Sequence, residues 1–539
     1  MGTGGELLVA ALERRGVEVV FGLPGVQLDG LFDALAQSSI RVVHARHEQA
    51  TSYMADGYAR ATGRVGVCAV VPGPGVLNAG AGLATAYATG SPVLCLAGHL
   101  FGGDAVRGRG ALHEIVDQSA AIEGTIGWTR RVHSPGEIDD ALDAAFDRLL
   151  ATRSLPAALE VGPDVLTAPT DASPRDPAPA PSVVGPEPAA VERAAAALAG
   201  RRRPVIVAGG GALGAGESLD RLAAVLGAPV VLTSSGKGAV SADQAHVLPP
   251  VAGLTLFGEC DALIVVGSRF WPSTGRPKVG DDVTVVRIDA DPARLDGDLA
   301  GALGVEGDAS ASCAALADAL SAAGAAEPDE AWTARVAEVR AAVIGGLAEA
   351  LPETSAYCRV LRDVIPDDGI LVDEMTQVGY LAREAYPALR PRTYLGSGYQ
   401  GTLGFGFSTA LGAKVGCPDQ VVVSISGDGG FLYNLGELAT MAHHDIGVVT
   451  VVFVDDAYGN VKRIQAATYG REIASTLTNP DLVQVASAFS IPAARAEDPD
   501  ALHKELEAAI SRGGPTLIEV PIAPQPDIWA YTQGRRPLL

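Results

Sequence analysis

The chain has 539 residues, enough for about three domains at roughly 100–200 residues each. Hydrophobic residues make up 48% and charged residues 19%, a globular composition that excludes a disordered or fibrous chain. Lys and Arg number 40 against 63 Asp and Glu, and the formal charge of −23 repels nucleic acid and anionic membrane. An anionic ligand must therefore be held locally, by backbone N–H groups or a metal.

The opening stretch, MGTGGELLVAALERRG, carries Glu and Arg within its apolar pattern and reads as an amphipathic helix rather than a signal peptide. No apolar run approaches the roughly 18 residues of a membrane span. The six cysteines, Cys68, Cys95, Cys260, Cys313, Cys358 and Cys417, lie far apart without a C-x-x-C pair. They read as small buried hydrophobes in a reducing cytoplasm. Short Val/Ile/Leu runs then alternate with helical patterns: VEVVFG, RVVHARHE, VGVCAVVPG, PVLCLAGH and PAALEVG in residues 1–170. Such runs suit central strands of a parallel sheet covered on both faces. Residues 171–188 hold six prolines and read as a stiff linker.

Residues 189–325 form a second block, with PVIVAG, PVVLTS, DALIVVG and VTVVRIDAD as strands. Gly209, Gly211 and Gly214 fit G-x-G-x-x-G after a strand, the pattern of a dinucleotide fold. The next strand, however, ends in TSSGKG without the acid that would hold a ribose hydroxyl, so NAD is not expected. Residues 345–525 restart the pattern with GILVDE, VVVSISGDGG, GVVTVVFVDD and TLIEVPI, leaving 526–539 as a tail. The fold class is α/β, with three doubly wound parallel-sheet domains, the first and third of similar kind.

The most specific segment begins at Ser424. One apolar strand ends in Gly427-Asp428-Gly429-Gly430 and a second in Asp455-Asp456-Ala457-Tyr458-Gly459, Asp455 standing 27 positions after Asp428. In a parallel sheet both turns emerge at the carboxyl edge, where ligands bind. Two carboxylates and a backbone carbonyl offer a hard cation part of an oxygen shell, which Mg²⁺ completes with phosphate and water. The glycines and helix N-termini let N–H groups approach those phosphates.

This GDG turn, followed about 25 residues later by an acidic pair, resembles the cofactor signature of thiamine-diphosphate enzymes of the acetolactate synthase, pyruvate decarboxylase and benzaldehyde lyase type. FGLPGVQLDGLFDAL, RHEQATSYMADGYARATG and VVPGPGVLNAGAGLATAY resemble the family's pyrimidine-binding domain. GSGYQGTLGFGFSTALGAKVG resembles the start of its diphosphate-binding domain, so the likeness spans nearly the whole chain. It implies thiamine diphosphate and Mg²⁺ as cofactors; FAD is not expected, because AVSADQAHVL follows GKG where a flavin motif would stand. By resemblance, Glu48 hydrogen-bonds N1′ of the aminopyrimidine and so promotes proton removal from the thiazolium carbon. Leu403 is the wedge that bends the cofactor, and the Gly401 carbonyl accepts from its amino group. Asp428, Asp455 and the Ala457 carbonyl are implied metal ligands. Thr376, Gln377, Gly427, Gly429, Gly430, Tyr458 and Gly459 are implied diphosphate contacts. The family also implies a site shared between subunits, hence a homodimer or homotetramer.

For substrate the resemblance implies less. Val26, Val71 and Val461 stand where decarboxylase branches carry Asp, His and Glu, and the loss of proton donors favours capture by a second carbonyl. Ser273, near Trp271, stands where acetolactate synthases use an Arg. Gln27, His113 and Tyr399 fall where benzaldehyde lyase carries polar substrate residues, with His99 a further candidate; His443 and His444 are expected on the surface. The reading is a carboligase or 2-hydroxyketone lyase acting on a 2-oxo acid or 2-hydroxyketone through an enamine. The alternatives are a 2-oxo-acid decarboxylase releasing an aldehyde and a catalytically silent paralogue.

Overall fold

The computed structural model describes residues 2–102, 108–179, 182–270, 279–295, 301–324 and 329–532. Three sheets of six parallel strands each lie along the chain. The first is built from Val19–Gly22, Arg41–His44, Gly66–Val70, Val93–Gly98, Thr129–Val132 and Ala157–Val161. Counting strands within the domain, their spatial order is 2-1-3-4-6-5, and the third sheet repeats that order with Ile370–Asp373, Tyr394–Leu395, Val422–Gly427, Val448–Val454, Ala493–Arg495 and Thr516–Pro521. The middle sheet runs 3-2-1-4-5-6, the order of dinucleotide-binding folds. The first and third domains are thus topological copies of each other, and the middle one is a different winding.

The strands follow from composition. Ala262–Val266 and Val448–Val454 are almost wholly buried, as β-branched residues covered by helices on both faces should be. At the chain start, Thr3 and Glu6 form a reciprocal capping box for helix Gly4–Arg14. Five of the six cysteines are buried, Cys417 partly, and all six are free thiols. Among the described residues, no helix is long and apolar enough to cross a membrane.

Small residues set how the domains meet. Helix Glu48–Thr62 of the first domain lies against helix Phe405–Gly416 of the third. A Cβ on Gly57 would fall 2.0 Å from the Thr409 carbonyl oxygen, and one on Gly412 would fall 1.9 Å from that of Met54. Only glycine allows this backbone approach. The middle domain is tied in by Lys237, whose buried ammonium donates to the Tyr386 carbonyl at 2.7 Å. It is also tied by Arg269, which donates to the Ala88 carbonyl at 2.6 Å. Helix Glu330–Ala350 joins the middle and third domains, with Trp332 donating to the Pro204 carbonyl at 3.2 Å. In the tail, Trp529 packs on Tyr380 with ring centroids 5.0 Å apart.

The glycines of the middle domain have a packing role. A Cβ on Gly209 would lie 2.3 Å from the Gly267 carbonyl oxygen, and Gly211 donates its N–H to that oxygen at 3.1 Å. Two strand-end loops cross at the switch point of the sheet, and the glycines permit their contact.

Candidate active site

The third sheet brings the two acidic turns together. Gly427 is level with Phe453 in the parallel register, so Asp428 and Asp455 leave neighbouring strands side by side. Three helices begin at this edge, at Gln377, Asp428 and Gly459, and their N-termini present positive dipole ends. Thr376 precedes the first of them and faces Gly427, whose Cβ position is 3.6 Å from Thr376 Cβ. Asp428 is 1% exposed and accepts from Gly429 N–H at 2.8 Å and Asn479 Nδ2 at 2.6 Å. Asn479 also donates to Asp456 at 2.7 Å, and Asp456 takes a positive φ of 52° to turn the chain.

The loop geometry exposes a carbonyl. Tyr458 N–H donates to Ser475 and Leu477 N–H to Asp456, so Ala457 and Thr476 form an antiparallel bridge outside those bonds. The carbonyl of Ala457 then points away from its bridge partner. Burial, followed by the neighbouring Asp428 carboxylate, pushes the Asp455 carboxyl up to about 6, and burial raises Asp428 as well. Two carboxylates that resist ionisation side by side are suited to a cation between them. The space is kept by glycine: a Cβ on Gly459 would lie 2.3 Å from Asp455 Oδ2, and one on Gly429 would lie 2.7 Å from the Tyr458 ring. These donors fit a divalent ion with a diphosphate.

A residue without a motif ties this turn to the next. Glu374 is fully buried at the end of its strand and accepts from Gly404 N–H at 2.6 Å, Gly406 N–H at 2.9 Å and Ser426 Oγ at 2.9 Å. A Cβ on Gly430 would lie 2.2 Å from its Oε1. The carboxylate is wedged between the turn carrying Gly401 and Leu403 and the turn carrying Asp428. Gly401 takes φ +57° there and Leu403 is half-buried. Burial pushes Glu374 up to about 7 against the hydrogen bonds that lower it. The acid of VDEMT was legible as a polar residue ending an apolar strand, but not its partners.

The carboxyl edge of the first sheet holds the other expected residues. His47 caps helix Glu48–Thr62, and Glu48 is 8% exposed with Asn78 Nδ2 donating to its Oε2 at 3.0 Å. Arg46 and His47 donate their N–H groups to Glu437 of the third domain at 3.0 Å each, which fixes the segment ahead of Glu48. Gln27 is buried with its Oε1 lacking a hydrogen-bond partner, and His113 Nδ1 is buried in the same condition. A Cβ on Gly25 would meet Val71 at 2.5 Å, and one on Gly73 would meet the His113 carbonyl oxygen at 2.2 Å. Gln27, Val71 and His113 thus line one edge, and His113 takes φ +68° there. His99 lies behind it, 3.8 Å from the buried Glu160, and burial lowers its pKa.

One expectation needs correction, one residue stands apart from its expected neighbours within a single chain, and two lie outside the described residues. Within one chain Tyr399 does not join Gln27, His113 and Glu48. It stands next to Gly398, whose Cβ position is 3.0 Å from Thr89, at the other end of helix Pro74–Thr89 from Gly73. Roughly 16 Å of helix separates Asn78 from Thr89. Tyr399 is half exposed there, with the Arg269 guanidinium 4.3 Å from its ring centroid. His444 is not a free surface residue: it is half-buried against His44, because the third domain packs on the first at that point, although His443 is exposed as expected. Ser273 and Trp271 lie outside the described residues.

Known proteins are similar to this chain in sequence along nearly its whole length. Residues 2–121 match the family model described as thiamine pyrophosphate enzyme, N-terminal TPP binding domain. Residues 191–316 match its central domain and residues 374–520 its C-terminal TPP binding domain. A probable acetolactate synthase large subunit of Methanocaldococcus jannaschii is 34% identical over 97% of this chain and 92% of its own length. A probable 2-ketoarginine decarboxylase of Pseudomonas aeruginosa is 33% identical over 96% of this chain and 94% of its own. The acetolactate synthase isozyme 2 large subunit of Escherichia coli is 30% identical over 98% and 96%. With three matched domains in order and relatives of full length, the chain belongs to the thiamine-pyrophosphate-dependent enzyme family.

Proposed function

We propose that this enzyme uses thiamine diphosphate and Mg²⁺ to make or break a carbon–carbon bond beside the carbonyl of a 2-oxo acid or 2-hydroxyketone, as a carboligase or lyase. The observation that carries this reading is the pairing of two edges: a buried Glu48 held by Asn78 on one, and Asp428 crowded against Asp455 on the other. Asp428, Asp455 and the Ala457 carbonyl hold the metal. The N–H groups at Gln377, Gly430 and Gly459, with Thr376 and Gly427, hold the diphosphate. Of the expected contacts, the Tyr458 and Gly429 N–H groups are already given to Ser475 and Asp428 and only border it. Gly401 and Leu403 meet the coenzyme's rings. When bound, the coenzyme supplies the carbon nucleophile and the electron sink.

Glu48 holds a proton at N1′ of the aminopyrimidine, and its burial strengthens that hydrogen bond. Gln27 and His113 orient the substrate carbonyl through the polar atoms that lack partners in the protein. Val26 and Val71 leave that edge poor in acids, which favours capture by a second carbonyl over protonation. The first-domain edge exposes Val26, Leu77, Leu112 and Val116, and the third domain exposes Tyr433, Val461, Ile464, Tyr469 and Ile473. Apolar sets beside both halves of the site support a homodimer or homotetramer in which these faces cover each other, bringing a partner copy's third domain to Gln27 and His113. The six free thiols suit a cytoplasmic setting.

Likeness to a probable 2-ketoarginine decarboxylase favours a second reading, a 2-oxo-acid decarboxylase. The test is a screen on protein stripped of cofactors. Activity returns only when both Mg²⁺ and thiamine diphosphate are restored. Pyruvate with an aldehyde then gives a mixed acyloin, or a benzoin-type ketone is cleaved. Aldehyde release alone, from pyruvate or from 2-ketoarginine, selects the decarboxylase, and turnover without the coenzyme refutes both.

A further inference from the structure

Strand Arg41–His44 of the first domain ends on His44, and helix Leu438–His443 of the third ends on His443 with His444 next. The three imidazoles form a nearly equilateral group. Their ring centroids are 4.7 Å apart for His44 and His443, 4.7 Å for His44 and His444, and 4.8 Å for His443 and His444. The ring planes cross at 66°, 70° and 82°. One ring nitrogen of each lies within 4.8 Å of the other two, and His44 Nδ1 stands 3.2 Å from His444 Nε2.

We propose that these three histidines bind a divalent transition-metal ion of the zinc class, distinct from the carboxylate site. In a tetrahedral zinc centre with Zn–N of about 2.0–2.1 Å, ligand nitrogens sit about 3.3 Å apart and ring centroids about 5 Å apart. His44 and His444 already have that spacing, and His443, being exposed, is free to turn inward. The crossed rings are ordinary edge-to-face packing; what marks a ligand set is one nitrogen of each ring converging within 4.8 Å of the other two.

The surroundings are preorganised. Glu437 accepts from Arg46 and His47 N–H and from Thr440 Oγ at 2.6 Å, which fixes both segments before any ion arrives. The His44 backbone N–H donates to His444 Nε2 at 3.2 Å, and binding exchanges that bond for the metal. The guanidinium of Arg41 reaches the His444 carbonyl at 3.5 Å, and Arg46 is close by. Their charge opposes a cation and weakens its binding. Imidazole ligands select zinc, nickel, cobalt or copper over magnesium, whereas the Asp428 and Asp455 oxygens prefer magnesium. The ion would clasp the first domain to the third, a few residues ahead of Glu48.

The experiment is titration of untagged full-length protein with Zn²⁺ against a chromophoric chelator, in excess Mg²⁺ to fill the carboxylate site. Co²⁺ absorption serves as a second probe of tetrahedral nitrogen ligation. One Zn²⁺ per chain is expected to bind, with a rise in melting temperature. His443→Asn and His444→Asn each weaken binding at least tenfold and abolish the rise, while Asp428→Asn leaves both intact. His443 is exposed, so its variant folds, and circular dichroism checks this. Equal binding by wild type and His443→Asn, or none by either, overturns the proposal.

Discussion

Replacing Glu374 with Gln tests whether a buried carboxylate joins the two glycine turns of the site. Glu374 is raised from 4.5 to about 7 in the folded protein. A group with a raised folded pKa contributes stability that is fully present below its unfolded pKa and is lost as pH rises through the folded one. Between pH 4.5 and about 7 the loss is about 3 kcal/mol, at about 1.4 kcal/mol per pH unit. Gln does not titrate, so the variant lacks this slope. It has one acceptor oxygen for the N–H groups of Gly404 and Gly406, and leaving one buried donor unmet costs about 1–3 kcal/mol. The variant is therefore expected to be less stable than wild type at pH 4.5 and equal or more stable at pH 8. Calorimetric melts of cofactor-free protein at matched pH measure this, because other titrating groups cancel in the difference. For a domain of this size, about 2–4 °C per kcal/mol translates the change into a relative swing of about 6–12 °C. A difference that stays constant with pH within about 2 °C would refute the buried-charge account. A variant that melts normally and binds thiamine diphosphate as tightly as wild type would show that the wedge does not position the turns.

Glu48→Gln should keep the fold, since Gln can still accept from Asn78, and should lose roughly 10²–10⁴ in rate. Initial rates on the substrate that the screen selects, with near-ultraviolet circular dichroism as the fold check, measure this; near-normal turnover counts against the assignment. Gly412→Ala places a Cβ 1.9 Å from the Met54 carbonyl oxygen and should destabilise the junction of the first and third domains by about 1–3 kcal/mol. Gly345→Ala is its opposite: the Cβ meets nothing within 4 Å in helix Glu330–Ala350, and the helix should gain up to about 1 kcal/mol. Denaturation of the pair should move the midpoint in opposite directions.

Composition and periodicity placed the central strands, which are local Val/Ile/Leu runs, but not Thr129–Val132, Val247–Leu248, Leu303–Glu306, Tyr394–Leu395 or Ala493–Arg495, which are short edge strands without such a run. The glycine and acid turns announced themselves by position after a strand. The pairing of Asp428 with Asp455 followed from parallel topology, in which every strand points its carboxyl end to the same edge. What came only with the tertiary structure depends on elements far apart in sequence. Asn479 on Asp428, Glu374 on Gly404 and Gly406, and His44 beside His444 are contacts set by how sheets and domains stack, and no local pattern marks the partner. Tyr399 shows the limit from the other side: its motif was readable, yet its position was decided by the fold, which seats it a helix length from Gln27 and His113 in the same chain. Local chemistry is written in short segments, whereas the distances that make a site are fixed by long-range packing.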